Sequence, residues 1–208
     1  MTQDLSVTII QGIPESMRET AVDLYAEAFG KQFSVAVPDP ESRRKLLLSS
    51  LNLTSGFAAI IDNQLVGIAG YKTQSESFTD GMTFEVLFES VGETQGVWAA
   101  SIFSLYERTL EADELMIDGI AVKSSTRGRG IGTKLLNAVV SFAKESGFLS
   151  VRLDVVDTNS AAQRLYERHQ FTVTSTESFS TLNWLVGFDA MHTLTRKISA
   201  TSAEESSL

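Results

Sequence analysis

Apolar residues recur along this chain at two spacings, and the switches between them lay out a mixed α/β fold. "SVTII" (6–10) is short, β-branched and alternating, which predicts a strand. From Pro14, apolar positions at Met17, Ala21, Leu24, Tyr25 and Ala28 follow a helical spacing over 14–29. Pro38 and Pro40 interrupt the chain, and "ESRRKLLLSSL" (41–51) predicts a second helix. Two apolar runs flank "DN" within 56–72, and Asp and Asn suit the tight turn of a hairpin. Residues 73–81 read as a polar loop, and the rest of 73–112 has mixed, mostly helical periodicity.

The second half is more regular. "ELMIDGIAV" (114–122) predicts a strand, and Ile131, Leu135, Leu136, Val139, Val140 and Ala143 then form one helical stripe. Gly147 is a natural stop for that helix. "LSVRLDVV" (149–156) alternates like a strand, and a helix follows from Ser160, which forms a capping box with Gln163. "FTVTSTESF" (171–179) and "MHTLTRKI" (191–198) predict two last strands, and 199–208 is a polar tail expected to lack fixed structure. These elements predict a single α/β domain over 1–198, with a mixed sheet and an extended helical segment at 73–112.

Composition narrows the chemistry. A 43% hydrophobic content supports a packed core, and the net charge of −9 disfavours nucleic acid and anionic membrane as partners. A cationic partner such as an amine suits it better. The absence of cysteine excludes disulfides, thiolate nucleophiles and Cys-based metal sites. His169 and His192 have no metal-ligand spacing, so no metal is expected. The start carries no secretory pattern and no apolar run reaches spanning length, which predicts a cytoplasmic protein.

"STRGRGIGTKLL" (125–136) places Gly128, Gly130 and Gly132 among Arg127, Arg129 and Ile131 where a strand gives way to a helix. The first turn of a helix has unpaired N–H groups and a positive dipole end, and glycines let a ligand approach them closely. That combination suits a pyrophosphate; a flexible turn with solubilising arginines is the plainer reading. A Rossmann loop needs glycine where Thr133 stands, and the P-loop order of Gly, Lys and Ser/Thr is missing.

Arg127, Gly130 and Gly132 do meet the pattern Arg/Gln-x-x-Gly-x-Gly/Ala. After "IDGIAV" and before a helix, they resemble the acetyl-CoA loop of the GNAT superfamily of N-acyltransferases. Downstream, Asn159, Ala161, Leu165, Tyr166, Glu167 and Phe171 resemble that family's second signature, and the likeness covers most of 5–198. It implies the acyl-CoA N-acyltransferase fold, a mixed, mostly antiparallel sheet flanked by helices, and transfer of an acetyl group from acetyl-CoA to an amine. The implied cofactor contacts are Ile120, Ala121, Val122, Arg127, Gly128, Arg129, Gly130, Ile131, Gly132, Thr133, Asn159 and Tyr166. The backbone of 120–122 would pair with the pantetheine arm. Tyr166 is the implied proton donor to the leaving thiolate, and Asp154 or Asp118 the base, unless water serves. The acceptor is a small amine or a peptide N terminus. Dimerisation is common in the family. Rival readings are an acyl-CoA-binding relative without turnover and a nucleotide-binding module.

Two features depart from the family. Gln170 replaces its glycine, and a left-handed stop at Gln costs about 1 kcal/mol, which argues for a different helix end. Segment 73–112 is also longer than usual, suited to covering the acceptor pocket or to a dimer contact. Phe29, Phe33, Phe179, Trp184 and Phe188 suggest an apolar component to that pocket, or ordinary core or interface.

Overall fold

The computed structural model describes residues 6–198; the expected polar tail lies outside them. Strand β1 (Thr8–Gln11) leads through Pro14 and a short 3-10 turn into helix α1 (Arg18–Ala36). This helix runs beyond the expected 14–29, and its C-terminal end is buried at Ala36 against the segment inserted later in the chain. Helix α2 (Pro40–Ser50) starts with Pro40 in its first turn and Asp39 as cap, accepting from the Ser42 amide at 2.7 Å. The hairpin of β2 (Gly56–Ile61) and β3 (Gln64–Lys72) turns at Asp62 and Asn63, both with positive φ, as the "DN" pair predicts.

The least regular stretch forms two helices, α3 (Phe84–Val91) and α4 (Glu93–Ser104), packed beside α1 and α2. Phe78, in the middle of the polar loop 73–81, is fully buried between the hairpin and α1 and anchors that loop. The remaining elements are β4 (Glu114–Val122), α5 (Ile131–Glu145), β5 (Ser150–Val156), α6 (Ser160–Arg168), β6 (Thr172–Ser178), a short α7 (Asn183–Val186) and β7 (Ala190–Lys197). Among the described residues, no helix is long and apolar enough to cross a membrane.

Among the described residues, seven strands form one sheet in the order β1-β2-β3-β4-β5-β7-β6, and only the β4–β5 strand pair is parallel. One face is covered by α5 and α6, through Leu135, Leu136, Val139 and Tyr166. The other carries α1 and α2, through Val22, Leu24, Tyr25 and Leu47. The mixed sheet between helical layers is the expected architecture.

Helix α6 corrects two expectations. Its cap is Asn159, whose side chain accepts from the Ala162 amide at 3.2 Å, one residue before the expected Ser160. Gln163 does not reach back to a cap; it donates to Glu167 at 3.1 Å. The helix end also keeps the left-handed stop despite the missing glycine: Gln170 has φ 67°, and the Phe171 amide bonds the Tyr166 carbonyl at 3.1 Å. Phe171, fully buried, fixes this geometry by packing on Tyr166. Gln170→Gly should therefore raise unfolding free energy by about 1 kcal/mol, read by urea titration. Unchanged or lowered stability would show that the left-handed residue carries no strain.

Candidate active site

Strands β4 and β5 pair only from Glu114–Ser150 to Ile117–Leu153. Beyond that, β4 stays with β3 as far as Val122, and β5 stays with β7 as far as Val156. The cause of the parting lies in β4. Gly119 pairs with Gly70 and Ile117 with Tyr71, so Asp118 is an extra residue with no partner, a β-bulge. Bulges bend their strand, and this one also reverses the side-chain alternation. Leu115 and Ile117 face the α5 core before it; Ile120 and Val122 face that core after it, and Ala121 turns to the α1 side. The result is a seam in the sheet, with the β4 edge from Asp118 to Val122 lacking a strand partner on the β5 side among the described residues.

Both faces of the seam are walled. On the α1 side, the Phe29 ring lies so close to Gly119 that a Cβ there would meet it at 2.6 Å. On the α5 side, Leu165 and Val122 border Gly132 at ordinary contact distance, so α6 closes against the start of α5. Tyr166, next to Leu165, is 9% exposed, and its hydroxyl has no hydrogen-bond partner among the described residues. Burial pushes its pKa up to about 12 and keeps the phenol protonated.

The glycine loop follows directly from the open end of β4. Gly128 and Gly130 have φ of 79° and 75°, which favours glycine, and a Cβ at either would meet nothing within 4 Å. Gly130 caps α5 with no side-chain hydrogen bond, and the first turn holds no acidic residue. The amides of residues 128–133 find no acceptor among the described residues. Ile131 is buried and pins the helix start to the core, while Arg129 and Thr133 flank the exposed amides. Unpaired donors, a helix N terminus and open space are the features an anion seat requires.

The arginines divide their duties. Arg129 borders a hollow of about 230 Å³ beside Lys123, Ser125 and Thr126. Arg127 instead donates to the Val122 carbonyl and to Glu27 of α1, both at 3.0 Å, so its guanidinium braces the loop. Asn159 spends its side-chain oxygen on the α6 cap.

The two candidate bases differ sharply. Asp118, at the apex of the seam, accepts from Thr79 at 3.0 Å and Ser77 at 3.4 Å. Burial raises its pKa, against the opposing pull of those hydroxyls and of Lys72. Asp154 has both oxygens committed: one accepts from Thr193 at 2.8 Å, the other from Arg108 at 3.1 Å. Arg108 also reaches Glu177 at 2.8 Å, so the inserted segment is fastened across β5 and β6. Asp154 is thus an anchor for the insertion and not a free carboxylate. A hollow of about 390 Å³ lies over β5, β7 and β6, lined by Arg108, Arg152, Glu177, Thr193 and Thr195, with Glu114 at its β4 side.

Sequence reasoning missed Thr79, Ser77, Lys72 and Arg108. A lone Phe in a polar loop, with Ser and Thr on either side, is the signal for the first two. Arg108 in "YERTL" carries none. Of the aromatic candidates, Phe179 and Phe188 are buried together under α7, Phe29 and Phe33 pack beside Tyr25, and Trp184 is 79% exposed.

The raised pKa of Asp118 gives a stability test. The folded chain holds this proton to higher pH than the unfolded chain, where the value is about 3.9. Ionisation therefore favours unfolding, and wild type loses stability as pH rises from that value through the raised one. The gap by which Asp118→Asn exceeds wild type should widen over that window and then level off, read by urea unfolding at several pH values. A flat gap would contradict the burial of the carboxylate.

Residues 19–171 match the acetyltransferase (GNAT) family. The chain is 39% identical over 70 residues to the probable N-acetyltransferase camello of Xenopus tropicalis, covering 34% of this chain and 32% of that protein. It is 36% identical over 58 residues to streptothricin acetyltransferase A of Bacillus subtilis (strain 168), covering 28% and 34%. With the thialysine N-epsilon-acetyltransferase of Bos taurus, it shares 31% over 83 residues, covering 39% and 49%. The chain thus spans about a third to a half of the length of these relatives. A GCN5-related N-acetyltransferase from Kribbella flavida superposes with TM-score 0.62 at 16% identity, over 92% of this chain and 98% of that one. The ribosomal-protein-S18-alanine N-acetyltransferase from Escherichia coli does so with TM-score 0.56 at 15% identity, over 96% and 99%. Both share the fold. Since the family match runs from the first turn of α1 to the residue that closes α6, the chain belongs to the GNAT family of acetyltransferases.

Proposed function

We propose that this protein transfers the acetyl group of acetyl-CoA to a primary amine of a small molecule or peptide. The observation that carries the reading is the anion seat at the start of α5, opening directly onto the β4–β5 seam. Family membership supports it, as do relatives named for acetylating thialysine and streptothricin.

The chain's groups fit the cofactor. The amides of 128–133, with Arg129 beside them, would hold the pyrophosphate, and the free edge of 118–122 would pair with the pantetheine amides. When bound, acetyl-CoA supplies an activated thioester carbonyl. The residues around the seam do the rest. An alkyl ammonium has a pKa near ~10.4, so roughly one in 10³ is neutral at pH 7 and a proton must be removed. Asp118 takes it, because its oxygens sit at the apex of the seam and its raised pKa makes it a stronger base than an exposed carboxylate. Tyr166 Oη holds its proton against the opposite wall. A phenol pushed up to about 12 does not surrender that proton readily to a thiolate of pKa about 8.5, so its part is to donate a strong hydrogen bond to the departing sulfur. Phe29 and Leu165 keep water from the space between.

Calorimetric titration with acetyl-CoA, then CoA release assayed over a panel of primary amines, tests the proposal. Micromolar binding and amine-dependent CoA release are expected. Absence of binding would remove the cofactor and every role assigned above.

A further inference from the structure

Asp118 is the extra residue of the β4 bulge, so no strand partner fixes its side chain. A carboxylate also turns broadly about its last bond. What holds this one is the segment Ser77-Phe78-Thr79. Phe78 is fully buried, and a Cβ on Gly70 would meet its ring at 2.5 Å, so the hairpin leaves a socket for it. Its amide donates to the Tyr71 carbonyl at 2.9 Å, and its carbonyl accepts from the Asn52 amide at 2.8 Å. The hydroxyls on either side of this peg reach the same oxygen. Thr79 donates to Asp118 Oδ2 at 3.0 Å, and Ser77 donates to that atom at 3.4 Å. The Thr79 amide donates in turn to the Ser77 hydroxyl at 3.2 Å and fixes its direction.

The two oxygens of Asp118 therefore differ in kind. Oδ1 accepts from none of the described side chains, and the residue keeps part of its surface exposed. A proton placed on Oδ2 would weaken two hydrogen bonds, whereas a proton on Oδ1 disturbs neither. The geometry points to Thr79, seconded by Ser77, as a positioning residue for Asp118: held by Oδ2, the carboxylate presents Oδ1 to the acceptor ammonium. The N–H bond breaks with its electron pair left on nitrogen, and the new O–H bond forms at Oδ1. The inference rests on the acetyltransferase reading with Asp118 as the base.

The other ionisable groups that act on Asp118 are Tyr25 of α1 and Lys72 of β3. Tyr25 is a buried phenol whose pKa is pushed well up by burial and by the Asp118 charge, so it stays neutral. Lys72 directs its ammonium to the Arg108 carbonyl at 3.5 Å. Burial raises the Asp118 pKa, and the Thr79 hydroxyl is the largest of the pulls that oppose it. Loss of that hydroxyl alone thus moves the ionisation of Asp118 to higher pH, with Tyr25 and Lys72 unchanged.

Thr79→Val keeps the shape of the side chain and removes the donor. With acetyl-CoA and the panel amine that releases CoA fastest, its kcat should fall about 10-fold, while the KM for acetyl-CoA stays within about two-fold. Asp118 must be ionised to act, so the acid limb of kcat/KM should move to higher pH. Thr79→Ser restores the hydroxyl and should recover most of the rate. Ser77→Ala loses only the longer bond and should cost less. Carboxyl-carbon NMR of aspartate-labelled protein reads the ionisation without turnover, with Asp118→Asn identifying the resonance. Asp118 should titrate at higher pH in Thr79→Val than in wild type. An unmoved titration, or equal losses of kcat in Thr79→Val and Thr79→Ser, would overturn the inference and leave Asp118 as the base. A wild-type rate in Asp118→Asn, or no turnover of any amine, would remove the base and the positioning role together.

Discussion

Gly130→Glu should weaken acetyl-CoA binding by at least about 100-fold while the protein stays folded. A glutamate at φ 75° bears about 1–2 kcal/mol of left-handed strain, part of which its charge regains at a helix N terminus. Nothing lies within 4 Å of the new Cβ, so no clash adds to this. A loss of that size lowers Tm by a few degrees in a chain of this length. Binding suffers far more. The carboxylate stands where phosphate oxygens would meet the amides, and two like charges about 4 Å apart near a protein surface repel by roughly 4 kcal/mol. That exceeds the ~2.8 kcal/mol of a 100-fold change. Gly130→Ala separates the two effects: it bears the same strain without the charge, so its Tm should fall alike while calorimetry shows binding within several-fold of wild type. Wild-type affinity in Gly130→Glu would empty the seat of its meaning.

Tyr166→Phe should lower kcat about 100-fold and leave the affinity for acetyl-CoA within about two-fold. A hydrogen bond to a charged group contributes about 1.5–3 kcal/mol, which sets the size. A full general acid would be worth up to ~10⁴. The smaller value follows from the pKa of about 12, which makes complete proton transfer to the sulfur unfavourable. Removing a hydroxyl that has no partner among the described residues leaves nothing there unpaired, so Tm should hold or rise slightly. Wild type should also show no alkaline loss of activity from this phenol below about pH 10. An unchanged kcat would return Tyr166 to the core as a packing residue.

Much of the fold was readable because helical and strand spacings alternate cleanly after residue 114. Even the parting of β4 was written there: apolar residues fall at 115 and 117, then at 120 and 122, with Asp118 and Gly119 at the change of phase. The loop stood out because its glycines have no packing reason to be there. The acceptor side was opaque for a different reason. Phe29 and Thr79, which the fold brings to Gly119 and Asp118, are each unremarkable locally and meet β4 only by tertiary packing. Asp154 shows the same limit: alternation put it on the correct face, but its pairing with Arg108, 46 positions away, has no local signature. The Gln170 helix end was misjudged because burial of Phe171 outweighs a local cost of about 1 kcal/mol.

The bulge at Asp118 makes the cleft a matter of length, not of composition. Without that one residue, β4 would read Leu, Ile, Ile and Val in unbroken alternation toward α5, with glycine and alanine toward α1. Such a strand has no reason to leave β5, and the sheet would close over the seam proposed to receive the thioester. Substitution scanning along β4 would find a robust strand; a single-codon deletion at 118 would find the enzyme. The same arithmetic describes how an ordinary sheet acquires a cleft: one inserted residue, tolerated because every neighbour keeps its face.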